Sequence, residues 1–257
     1  MAGILRALGE RRSVCVHTLN LDHLLKLRLD EDFRDAYRRA DLVTADGWPI
    51  VAMARRKGTR LRRTTGADMI RPLARAAAAQ GAGIYLFGST PESLSGAATA
   101  LRADIPDLVV AGIEAPRFGF DPSSPAAEAA IERIAASGAR IVFVALGAPK
   151  QEIFAARAAA RCNGVAFVSI GAGLDFISGV QHRAPRLVQR IGCEWLWRLC
   201  HNPQALAGRY GRCALLLARL ALSEGRRPAA TSTPDATTGN RRGTRVPRTG
   251  RARPSSA

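Results

Sequence analysis

Short runs of β-branched and aromatic residues recur along the chain, each followed by a longer stretch in which alanine and leucine return every three or four positions. Residues 13–17, 42–45, 84–87, 108–113, 141–146 and 165–170 read as strands. Residues 69–80, 91–102 and 126–137 read as amphipathic helices between them. This alternation predicts an α/β fold, a Rossmann-like, mainly parallel sheet flanked by helices, with ligands held beyond the carboxyl ends of the strands. After Gly179 no further strand is apparent. The segment "HRAPRLVQRIGCEWLWRLCHNPQALAGRYGRCALLLARLAL" interleaves Arg183, Arg186, Arg190, Arg198, Arg209, Arg212 and Arg219 with tryptophan and leucine, and predicts two or three amphipathic helices broken near Asn202-Pro203. From about Glu224 large apolar residues almost vanish and disorder is expected. The expected organisation is an α/β core over 1–180, a basic helical appendage over 181–224 and an Arg-rich tail over 225–257.

Composition narrows this picture. With 257 residues and 47% hydrophobic content, the chain can bury a substantial core. Residues 1–12 carry only a brief apolar stretch before Glu10-Arg11-Arg12 and do not read as a signal peptide. No run approaches the roughly 18 apolar residues that span a bilayer. The five cysteines are odd in number and lack C-x-x-C spacing, so space-filling thiols are expected rather than disulfides or zinc ligands. The formal charge is +17, nearly all from arginine, and residues 226–257 contribute eight arginines against Asp235. Such a balance favours an anionic partner: a nucleotide diphosphate, anionic lipid head groups or nucleic acid.

Candidate chemistry gathers where strands end. Thr18 and Asn20 follow the first strand, as helix caps or ligand contacts. Asp46-Gly47 follows the second, and Asp46 reads as either the cap of the next helix or a base. In "LFGSTPES", Gly88 permits close backbone approach and Ser89 or Thr90 opens a helix whose N–H groups suit an anion. In "VALGAPKQEIF", Gly147, Pro149, Lys150 and Gln151 bring backbone donors, a cation and an amide to one helix start, without a Walker pattern. The cluster "SIGAGLDFISG" implies tight turns around Gly171, Gly173 and Gly179, with Asp175 orienting a neighbour or capping a turn. Phe176 breaks the dinucleotide pattern G-x-G-x-x-G.

These stretches together resemble the WecG/TagA/CpsF family of glycosyltransferases. The resemblance is carried by Thr18-Leu19-Asn20, Ala45-Asp46-Gly47, Gly66-Ala67-Asp68, Phe87-Gly88-Ser89, Leu146 to Glu152, the Gly171 to Gly179 cluster, Arg183-Ala184-Pro185 and Glu194 to Leu199, in the family's order over about residues 14–212. It implies an inverting, metal-free and cofactor-free transfer of a sugar from a UDP-sugar to a polyprenyl-diphosphate-linked saccharide in surface polysaccharide synthesis. Asp46 is then the expected base. Thr18 and Asn20 match a Thr-x-Asn pair near the sugar, and Gln151 matches a functionally important glutamine. Gly47, Gly88, Ser89, Gly147, Pro149 and Lys150 are expected around the donor. The resemblance also implies that the appendage closes over the site and supplies arginines, with Arg209 first and Arg198 and Arg212 behind it; Gln204-Ala205 stands where further arginines are expected. Work at the inner face of the cell membrane and self-association into dimers or trimers are further expectations. For residues 213–222, contact with an anionic bilayer competes with packing on the protein's own core or on a partner subunit. A nucleic-acid-binding module built on the tail is the alternative from another class, with no specific nucleic acid expected; a Rossmann-type dehydrogenase is the other.

Overall fold

The computed structural model describes residues 2–201 and 203–225. The chain divides into a unit of Met1–Ala218, to which the architecture below belongs, and a unit of Arg219–Ala257. Most of the latter, and with it the expected disordered tail apart from Gly225, lies outside the described residues.

Six strands form one sheet: β1 (Val14–Leu19), β2 (Leu42–Ala45), β3 (Gly83–Gly88), β4 (Val110–Glu114), β5 (Ala139–Ala145) and β6 (Ala166–Ser169). Their order is β2-β1-β6-β5-β3-β4, and every pairing is parallel. The central strands are apolar on both faces, because a parallel sheet with helical crossovers is covered on both sides. Alternate residues point opposite ways. Ile141, Phe143 and Ala145 of β5 join Ile84 and Leu86 of β3 in one core, while Val142 and Val144 join Tyr85 and Phe87 in the other.

The first core is covered by α1 (Ala2–Gly9), α5 (Gly66–Ala78), α6 (Pro91–Asp104) and α9 (Gly173–Ser178). The second is covered by α3 (Glu31–Arg38), α7 (Pro125–Ala136) and α8 (Lys150–Ala159). Helix starts follow local chemistry. Thr65 and Asp68 form a reciprocal capping box on α5, and Thr90 caps α6 ahead of Pro91. Helix α1 went unread in the sequence because its apolar stretch is short; tertiary contact stabilises it, with Ile4, Ala7 and Leu8 buried in the first core. Helices α2 (Leu21–Leu29) and α4 (Trp48–Arg56) complete the connections. After Gly179 the described residues hold only helices: α10 (Arg186–Arg190), α11 (Glu194–His201) and α12 (Pro203–Gly225). The first two, and the third as far as Ala218, belong to the same unit as the sheet.

The topology places a crevice at the carboxyl edge. From β3 the chain moves outward to β4, whereas from β5 it turns back toward β6, so the loops leaving these two adjacent strands diverge. Gly88 ends β3 with φ of +109°, and a Cβ there would lie 2.5 Å from the carbonyl oxygen of Ala145. Only glycine fits such an approach.

Candidate active site

The ends of β1 and β2 lie side by side, with Leu19 opposite Ala45. The Asp46 N–H donates to the Leu19 carbonyl at 2.8 Å, extending the ladder one step and setting Asp46 next to Asn20 at the sheet's edge. The cap reading of Asp46 does not hold. The N-cap of α4 is Gly47, at φ of +113°, and Asp46 precedes that position by one residue.

Asn20 is the N-cap of α2, its Oδ1 accepting the His23 N–H at 3.0 Å. Thr18 is only 4% exposed. Its carbonyl accepts the Tyr37 hydroxyl at 2.5 Å and His23 Nδ1–H at 2.8 Å, so the end of β1 is anchored from below. Further in, His17 Nδ1 is hydrogen-bonded to Ser169 Oγ at 3.0 Å, with Cys15 Sγ 3.3 Å from Nε2. Burial pushes His17 and His23 down to about 4, so both are neutral at pH 7. Burial likewise holds the protons on Cys15 and Tyr37.

The loop after β5 is held from both sides. Lys26, paired with Asp22 at 2.8 Å, donates to the Ala148 carbonyl at 2.9 Å. Gly147 is exposed, the Ala148–Pro149 peptide is cis, and Pro149 occupies the cap position of α8. Lys150 lies at the first position of α8, half-buried, with no ion pair among the described residues. Gln151, which the sequence set against the substrate, is 2% exposed. Its Oε1 accepts the Gly171 N–H at 3.0 Å and its Nε2 donates to Glu152 Oε1 at 2.7 Å, so it reaches the site through the turn after β6.

The anion cradle expected at α6 is largely occupied by the protein itself. The Ser89 N–H donates to Ala145 O, the Ser93 N–H to Thr90 Oγ1, and Pro91 has no N–H. Ser89, at φ of +51°, donates its hydroxyl to Asp175 Oδ1 at 2.5 Å; Ser93 does so at 2.6 Å, and Gln181 donates to Oδ2 at 2.9 Å. Asp175 thus orients the α6 start.

The first helices of the appendage dock beside Asp46. The Trp48 indole N–H donates to the Gln189 carbonyl at 3.2 Å. Arg183 pairs with Asp68 at 2.8 Å, donates to Thr65 Oγ1 and faces Glu194, which Arg63 meets at 3.3 Å. Burial acts to raise the Asp68 carboxyl, but Arg183 and the Thr65 hydrogen bonds hold it below the ordinary value. On α12, the half-buried Arg209 lies over the Tyr210 ring, 5.1 Å from its centre, while Trp195 meets Tyr210 edge-on. The Arg209 charge helps depress His23, after burial and Lys26, which puts it within electrostatic reach of the β1 end. Arg212 is exposed, and the side chain of Arg198 on α11 lies outside the described residues.

The strand-end residues therefore share one edge of the sheet: Thr18, Asn20, Asp46 and Gly47 on one side, Gly88, Ser89 and the Gly147–Gln151 loop at the crevice. Sequence reasoning gave no role to the layer beneath them: His17, His23, Lys26, Tyr37 and Glu152. The available signal was polar residues at positions where the strand and helix patterns call for apolar ones, as at His17. This assembly agrees with the sequence comparison, in which the glycosyl transferase WecG/TagA/CpsF family matches residues 1–231; the chain belongs to that family and is a glycosyltransferase.

Proposed function

We propose that the protein is an inverting hexosyltransferase that moves a sugar from a UDP-sugar to a polyprenyl-diphosphate-linked saccharide during surface polysaccharide synthesis. The observation that carries this reading is the placement of Asp46: a carboxylate at the carboxyl edge, beside Asn20, that does not serve as the cap of α4. In the reaction Asp46 takes the proton of the acceptor hydroxyl as that oxygen attacks the anomeric carbon from the face opposite UDP. The departing diphosphate gains charge as the glycosidic bond breaks. Lys150, Arg209 and backbone donors of the Gly147 loop offset that charge, and no divalent ion is required.

The lipid-linked acceptor calls for access from a membrane surface. Leu187 on α10 and Ile191 at its end, Trp195 and Leu196 on α11, and Leu215 and Leu217 on α12 are exposed, among many arginines. That combination favours an anionic bilayer surface at the inner face of the cell membrane. Among the described residues no helix is long and apolar enough to cross a membrane. Self-association belongs to the same reading.

The test offers a panel of UDP-sugars, including N-acetylmannosamine, its uronic acid, glucose and glucuronic acid, with a short polyprenyl-diphosphate sugar acceptor, and reads products by mass spectrometry. Asp46→Asn should fold, bind UDP and lose roughly 10²–10⁴-fold in transfer. Turnover near that of the unaltered protein would exclude Asp46 as the base, and transfer only after addition of a divalent ion would contradict the metal-free scheme.

A further inference from the structure

Beneath the candidate site lies a fully buried acid that the proposed mechanism does not use. Glu152, at the third position of α8, is 0% exposed. Its Oε1 accepts the Gln151 amide at 2.7 Å, while Oε2 is buried and has no hydrogen-bond partner among the described residues. The Gln151 carbonyl in turn accepts the Gly171 N–H at 3.0 Å. This chain of two hydrogen bonds joins the start of α8, beside the Gly147 loop, to the turn that follows β6.

We propose that Glu152 is a positioning residue: it fixes the orientation of the Gln151 amide, and through that amide it holds the Gly171 turn in place at the carboxyl edge of the sheet. An amide side chain can present either end to Gly171, and a wrong end would set an N–H against an N–H. A carbonyl acceptor at Glu152 Oε1 selects the right one. The second oxygen, Oε2, fits a carboxylic acid better than a carboxylate, since a full charge there has no matching hydrogen bond. The groups that face it agree. Lys26 on α2 lies nearby but is paired with Asp22, and Cys15 on β1 and Tyr37 on α3 both retain their protons. Burial pushes the Glu152 carboxyl up to about 8, against the opposing effect of its Gln151 bond.

The protonation state gives the proposal a signature separate from a general packing role. When the turn opens and Glu152 meets water, the acid ionises, so opening releases one proton between the pKa of the exposed group and that of the buried one. The protection of the Gly171 amide against hydrogen exchange, corrected for the intrinsic rate, should therefore fall about tenfold per pH unit from pH 5.5 to 7.5. In Glu152→Gln, which keeps the acceptor and cannot ionise, that protection should persist and become independent of pH. In Glu152→Ala it should drop at least tenfold throughout. Protection in Glu152→Ala equal to that of the unaltered protein, or the same pH slope in Glu152→Gln, would overturn the proposal. The consequence for turnover rests on the glycosyl-transfer reading: at pH 7 Glu152→Gln should stay within about threefold in kcat, whereas Glu152→Ala should lose more than tenfold in kcat with a smaller change in donor KM. Should no UDP-sugar be transferred by the unaltered protein, that reading fails while the exchange measurement still decides the role of Glu152.

Discussion

Replacing His23 with glutamine should flatten the acid side of the protein's stability profile, and the structure sets the slope. His17 and His23 are buried and lowered from 6.5 to about 4, so between those values the unfolded chain binds two protons that the folded chain does not. Stability from each histidine is complete above pH 6.5 and is lost as pH falls toward 4. Glu152 acts oppositely. Raised from 4.5 to about 8, it favours the folded state at low pH and surrenders that advantage as pH rises through this range. One proton difference corresponds to about 1.4 kcal/mol per pH unit. From pH 4.5 to 6.5 the net difference is one proton, two from the histidines against one from Glu152, so unfolding free energy should climb by about 1.4 kcal/mol per unit. Above 6.5 only Glu152 of these three still titrates, and stability should decline by a similar slope until about pH 8. The cluster thus places the maximum near pH 6.5. His23→Gln removes one proton from the acid limb and should leave it nearly flat, with the decline above 6.5 unchanged; the lost bonds to Thr18 lower the whole curve by about 1 kcal/mol. Urea unfolding at half-unit steps from pH 4.5 to 8, analysed by linear extrapolation, measures both slopes. An acid limb equally steep in the two proteins would refute the assignment of that titration to His23.

Two further substitutions test the frame around the site. Gly88→Ala should destabilise the fold by several kcal/mol, since a Cβ 2.5 Å from the Ala145 carbonyl must displace β5 from a backbone already at positive φ; an unfolding midpoint in urea unchanged from the parent would show that the strands yield freely. Phe154→Ala removes a fully buried ring stacked on Phe87 at 4.5 Å and should cost about 3–5 kcal/mol, read by the same assay, with a loss under about 1 kcal/mol contradicting the packing described.

Much of the fold was legible because each strand announces itself twice, by its own β-branched run and by the break in helical periodicity around it. Strands β2 and β3 fall within a residue of their expected ends, and β1 and β5 shift by a residue or two. Boundaries move where a strand end is decided by a partner rather than by its own residues: β1 runs on to Leu19 because β2 pairs with Thr18 and Leu19. Sheet order was not legible at all. Nothing local tells β6 to insert between β1 and β5, since that choice depends on which crossovers cover which apolar face. At the site, glycines and polar residues after strands marked the correct edge, but not the use of each group. Asn20 satisfies both a cap and a ligand reading in sequence, and the structure commits its Oδ1 to the cap. Gln151 reads as a polar helix start, yet it faces inward because Glu152 and Gly171 complete its hydrogen bonds. Partners 20 residues away, as Gly171 is from Gln151, leave no trace in local pattern.

Net charge alone does not point to one edge of the sheet. Most of the arginines among the described residues are exposed, where solvent weakens their effect on any one ligand. The arginines that matter to the architecture are few and partly enclosed. Arg183 and Arg63 share Glu194, and Arg183 also meets Asp68, so the start of the appendage is tied to the loop that follows α4 and to the cap of α5. Removing one cation from such a cluster leaves carboxylates enclosed without their partner, which is more costly than losing an exposed pair. Trp48 adds a second tie one residue beyond Gly47. Asp46 is therefore flanked on one side by the β1 ladder and, two residues on, by the tie from Trp48 to α10, so its place depends on the β1–β2 pairing and on the docking of a segment more than 130 residues downstream.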